Sequence, residues 1–177
     1  MLRAALFTFV GAAYCARSLQ SFSDPAFTDP DSASDWFAVL SYSAAFLALG
    51  IALPLFAQLV GETSVFRVSL VAAVGAALSG LSNVLEDALQ MDFAVWPYIG
   101  GAVLTLVGLV VLTIVVLAAA RGSRRLLAAV PAATLVGLLM FESGGGVLVL
   151  AAWLAAAAVT ISSRMPAPAE PAQARSS

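Results

Sequence analysis

Apolar residues fall into six long runs separated by short polar links. Runs of this length predict helices that cross a bilayer, because a helix pairs its own backbone groups where lipid offers no partner. The runs cover roughly 2–19, 36–60, 65–89, 96–120, 126–141 and 145–162 by hydropathy alone. The expected fold is therefore an all-α transmembrane bundle of six spans. The last two runs only just reach across a hydrocarbon core of about 30 Å. Glu142, Ser143 and Gly144, followed by Gly145 and Gly146, predict a tight hairpin between them.

Run one is the weakest, since Arg3 and Arg17 bracket it. Arg17 must extend its stem along the helix to reach the interface. A cleaved signal peptide is the rival reading. Tyr14 stands where cleavage after Ala16 wants a small residue, and it also sits badly beside Cys15 for a lipoprotein site. An uncleaved first helix is expected.

Local signals refine the runs. The first link repeats a phrase, Phe22-Ser23-Asp24-Pro25 and then Phe27-Thr28-Asp29-Pro30, in which Asp-Pro favours turns. Ser32 and Asp35 read as a capping box for the second helix, with Trp36 at interface level. Gly50 and Pro54 predict a kink in that helix. Thr63 or Ser64 is the expected cap of the third, and Pro97 suits a first turn of the fourth. Residues 164–177 are rich in proline and alanine and read as a disordered tail.

Charge divides the links into two kinds. Arg3, Arg67, Arg121, Arg124, Arg125, Arg164 and Arg175 fall at the N-terminus, in links two and four, and in the tail. Asp24, Asp29, Asp31, Asp35, Glu86, Asp87, Asp92 and Glu142 fall in or beside links one, three and five; Glu62 and Glu170 break the pattern. Arginine bias sets orientation, so both termini are expected in the cytoplasm; the absence of lysine and the heavy use of alanine point to a GC-rich bacterial genome, and so to a bacterial inner membrane. Acids contribute little to orientation, so their clustering on the outer face is additional information.

Composition then excludes much chemistry. Hydrophobic residues make up 62% of the chain and charged residues 10%, too apolar for a water-soluble surface. Histidine is absent, which argues against bis-His haem, His-ligated zinc or copper, and Ser-His or Cys-His catalysis. One cysteine, Cys15, allows no intrachain disulfide. Asp29, Asp31 and Asp35 lack the glycine and terminal glutamate of a calcium loop. No phosphate loop, nucleophile elbow or zinc motif occurs, so no catalytic residue, metal or cofactor is expected and an enzyme is not. A net charge of −2 makes nucleic acid an unsuitable partner. The bilayer is the expected partner, with a homo-oligomer or a larger membrane complex as protein partners.

The third run carries the candidate site. At about 100° per residue, Val71, Val74, Leu78, Leu81, Leu85 and Leu89 share one face. Ala72, Gly75, Ser79, Ser82, Asn83, Glu86 and Gln90 share the opposite half. Small and hydroxyl residues on such a face serve helix packing, or else line a polar path ending at Glu86. Glu86, Asn83, Ser79, Gln90, Asp87 and Glu142 are the candidate ion or proton site, with Asp92 nearby and Arg17 as local counter-charge. Asp87 points about 100° from Glu86, so the two form no shared-proton dyad. Gly101, Thr105 and Gly108 read as a packing stripe, and Trp153 as a buried aromatic.

The layout, with the phrases Asn83-Val84-Leu85-Glu86-Asp87 and Phe141-Glu142, resembles small bacterial six-helix membrane proteins that have no established activity. The resemblance implies the six-span count and no function. Two functions remain: a protein that passes or senses a cation or proton along helix three, or an accessory membrane subunit without transport.

Overall fold

A computed structural model describes residues 1–21, 30 and 32–163. All of the Phe-Ser/Thr-Asp-Pro repeat but Pro30, with Asp24 and Asp29, and also Asp31 and the tail from Arg164 lie outside those residues. Among the described residues the fold is all helical. Six α-helices follow one another: α1 (Leu2–Gln20), α2 (Ala33–Val60), α3 (Thr63–Asn83), α4 (Val95–Ala119), α5 (Ala129–Leu139) and α6 (Gly146–Ser162). Four stretches are long and apolar enough to cross a membrane: Ala33–Val60, Thr63–Ala88, Asp92–Ala119 and Gly122–Leu139. α6 is apolar but shorter, and α1 carries Arg3 and Arg17 within its length.

The helix ends show why the chain turns where it does. Ser32 caps α2 in a full capping box with Asp35, as its spacing predicts. Gly61 then ends α2 at φ 83°, a left-handed conformation that suits glycine. α2 runs unbroken through Pro54. The expected caps Thr63 and Ser64 are not used: Glu62 occupies the cap position of α3 and makes no side-chain cap bond. Gly144, also at φ 83°, closes the α5–α6 turn, where the Ser143 and Gly145 amides both donate to the Met140 carbonyl at 2.9 Å.

Each helix packs on its neighbours in chain order, and α6 returns to α1, closing a ring. Inside the ring, Phe7 and Phe56 pack against Trp153, and Phe46 packs against Tyr14 and Tyr42. Trp153 is fully buried, and its indole N–H donates to Thr134 Oγ1 at 3.1 Å, tying α6 to α5. Val71, Val74, Leu78, Leu81 and Leu89 of the third helical run are exposed, whereas Ala72, Gly75, Ser79, Ser82 and Asn83 are buried. The small, polar half of α3 is thus a packing face.

Two seams bring helix backbones into close approach. A Cβ placed on Gly101 would meet Ser79 N at 2.7 Å, and one on Gly108 would meet Ala72 Cβ at 2.7 Å. On the other side of the ring, a Cβ on Gly146 would lie 2.5 Å from the Tyr14 carbonyl oxygen. This close van der Waals contact joins α3 to α4 and α1 to α6.

The two ends of the ring differ in charge. Arg3 donates to Gln58 Oε1 at 2.6 Å, Arg124 to the Val60 carbonyl at 3.1 Å and Arg125 to the Ala120 carbonyl at 2.9 Å. Arginines thereby complete the carbonyls at the C-terminal ends of α2 and α4. At the opposite end, Arg17, Asp35, Glu86, Asp87, Asp92 and Glu142 gather.

Gly101→Val is expected to lower stability by about 1–3 kcal/mol by forcing α3 and α4 apart. Gly100→Ala, where a Cβ meets nothing within 4 Å, is expected to be neutral or to stabilise by about 0.5–1 kcal/mol. Unfolding in a single detergent compares the two; equal effects would remove close approach as the cause.

Candidate functional site

The acidic end holds a polar cavity of about 250 Å³. Its polar lining is Arg17 from α1, Tyr42 from α2, Asn83 from α3, Asp87 just beyond it, Tyr98 from α4 and Glu142 from the α5–α6 turn. Alternating helix directions bring these five parts of the chain to one end.

The end of α3 has a particular winding. Residues Val84–Ala88 form a π-turn, with Leu89 N donating to Val84 O at 3.2 Å. Met91 N then donates to Leu85 O at 3.0 Å, and Gln90 closes the turn at φ 55°. Asp87, four residues on, lies nearly beneath Asn83, and the wider π winding leaves it there. Glu86 is rotated away from that line. This explains why Asp87 lines the cavity whereas Glu86, half-buried, does not.

Hydrogen bonds fix the cavity walls. The Tyr42 and Tyr98 hydroxyls lie 3.0 Å apart, so one donates to the other and one proton is left to donate into the cavity. Asn83 Nδ2 donates to Ser43 Oγ at 3.0 Å and, at 3.5 Å, reaches the Val39 carbonyl, joining α3 to α2. Ser18 Oγ donates to the Phe141 carbonyl at 2.6 Å and accepts from the Gly146 amide at 3.2 Å. Those two bonds hold the α5–α6 turn against α1. The Arg17 guanidinium lies 5.7 Å from the centre of the Phe141 ring, a cation–π distance. Its Nη1 is buried and has no hydrogen-bond partner among the described residues.

The remaining candidates lie around this cavity. Ser79 is fully buried in the α3–α4 seam and donates to the Tyr98 carbonyl at 3.4 Å. Gln90 is exposed and donates to the Asp87 carbonyl at 2.9 Å, which steadies the π-turn. Asp92 is exposed at the start of a 3₁₀ turn. Tyr42, Tyr98 and Phe141 were not legible as site residues: each is a single aromatic in an apolar run, where a core role is the ordinary expectation.

One guanidinium facing two carboxylates leaves a single negative charge on the lining when all three are ionised. The cavity therefore suits a proton or a small cation. Among the described residues, no group of three or more Cys, Asp or Glu side chains is placed to hold a metal ion. Below the cavity the bundle is filled by Phe46, Leu49, Leu53 and Phe56, which follow one another down α2 and are all buried. Comparison with protein families, curated proteins and solved structures finds no match for the chain.

Tyr42→Phe and Tyr98→Phe are each expected to cost about 1 kcal/mol, the net value of one hydrogen bond. The double variant should cost little more than either single one, because both remove the same bond. Additive losses in detergent unfolding would show that the hydroxyls act separately.

Proposed function

We propose that the chain is a six-span protein of a bacterial inner membrane, with both termini on the arginine-rich cytoplasmic side. It binds and senses a proton or small cation in the outer-end cavity. The observation that carries this reading is the meeting of Asp87, Glu142 and Arg17 in one polar cavity above a filled apolar bundle. The net negative lining supplies affinity for positive charge. The packed side chains along α2 favour sensing over passage. Asp87 is the primary titrating or coordinating group because it lines the cavity, and Asn83 and the tyrosine pair shape its surroundings. Glu86, Ser79 and Gln90 act around it, through field or position. The chemistry is binding, without catalysis.

An accessory role without binding is the second reading. Its small-residue docking faces are the ones that α3, α4, α1 and α6 already spend on one another. This weakens it.

Orientation is tested by labelling single cysteines in a Cys15→Ser background. Ser143→Cys should react with an impermeant maleimide from outside, and Ser123→Cys only after permeabilisation. The reverse pattern would overturn the topology. For binding, wild-type protein in nanodiscs should gain thermal stability saturably with sodium, potassium or protons. Asp87→Asn should abolish that gain and Glu86→Gln should keep most of it. Flux in liposomes should match empty vesicles. A wild-type protein indifferent to all three cations would sink the proposal.

A further inference from the structure

A second cavity, of about 350 Å³, lies between α4 and α5, the most lightly packed seam of the ring. Ala102 and Leu106 of α4 face Leu138 of α5 across it, with Phe46 of α2 among its lining. Tyr42, Phe141 and Glu142 line its remaining side and also line the polar cavity, so the two share a wall. The lining thus passes from aliphatic, to aromatic, to a carboxylate.

Two observations say what chemistry this lining accepts. Glu142 is exposed and makes no hydrogen bond or ion pair among the described residues, so its charge is available. The Tyr42 and Phe141 rings stand beside that carboxylate on the cavity wall, and the Arg17 guanidinium near Phe141 lines the neighbouring cavity and not this one. Thr105, the one hydroxyl on the α4 side, is committed to the Gly101 carbonyl at 2.8 Å. It offers an apolar ligand body no competing polar contact.

We infer that the α4–α5 cleft binds an amphiphilic cation drawn from the surrounding lipid. Its charged head sits at Glu142 beside the Tyr42 and Phe141 rings, and its apolar body lies between Leu106 and Leu138. Aromatic walls together with an unpaired carboxylate favour a soft organic cation over a hydrated inorganic one. The inference rests on the membrane-spanning reading above but not on cation binding at Asp87.

Radiolabelled tetraphenylphosphonium is the probe, with full-length protein in phosphatidylcholine nanodiscs. Wild type should bind it saturably above empty nanodiscs. Glu142→Gln should weaken binding about tenfold, the size of one lost charge contact. Leu106→Trp, which fills the cleft, should abolish it, and Leu106→Ala should retain it. Asp87→Asn should bind as wild type does, which separates this site from the sensing cavity. The proposal is overturned if wild type binds no more than empty nanodiscs, or if both Glu142→Gln and Leu106→Trp bind normally. Should Leu106→Trp fail to fold, the Glu142→Gln result decides alone.

Discussion

Close backbone contact at small residues is the constraint on which this structure depends. In water, burying apolar surface would drive the helices together. In lipid, the setting proposed for this chain, that term vanishes, because the chains being displaced are as apolar as the side chains that replace them. What remains is dispersion, which falls steeply with separation. Gly101 and Gly108 let α4 lie directly on α3, and Gly146 lets α6 lie on α1. Those two seams anchor opposite sides of the ring, and the other helices complete it.

The polar cavity is a product of the same contacts. With α4 resting on α3, the Tyr98 hydroxyl comes within 3.0 Å of the Tyr42 hydroxyl. With α6 resting on α1, Ser18 clamps the α5–α6 turn through Phe141 and Gly146. A larger residue at any of the three glycines would therefore disturb the site without touching it. Stability and binding are coupled through packing, since the groups that face the cavity sit on helices whose spacing is fixed elsewhere.

Much of the fold was legible in the chain because its signals are local. Hydropathy marked the long helices, Ser32 and Asp35 announced their capping box, and a period of 3.6 sorted α3 into exposed and buried faces. Trp153 and the Gly101, Thr105 and Gly108 stripe were readable for the same reason. The candidate site was only partly legible. Asp87, Asn83 and Glu142 were among the expected residues and do line one cavity. The relative placement of Glu86 and Asp87 was not visible, because a regular wheel cannot represent the π-turn at Val84–Ala88. Tyr42, Tyr98 and Phe141 were hidden because their partners lie far away in the chain, and no local pattern records such a meeting.

Helix length has a consequence for the membrane itself. α2 has 28 residues, about 42 Å of helix, whereas α6 has 17, about 25 Å. The α5–α6 turn touches α2 at Tyr42, about 13 Å below the start of that helix at Ala33. The acidic rim of the protein is therefore uneven, high along α2 and notched at α5–α6. In the six-span arrangement proposed above, a bilayer that fits the tall side is too thick for the short one, and lipid would thin against the notch or cover it. If this chain spans a bilayer as proposed, Glu142 sits on the low side of that rim, and membrane thickness becomes a variable that bears on this end of the protein.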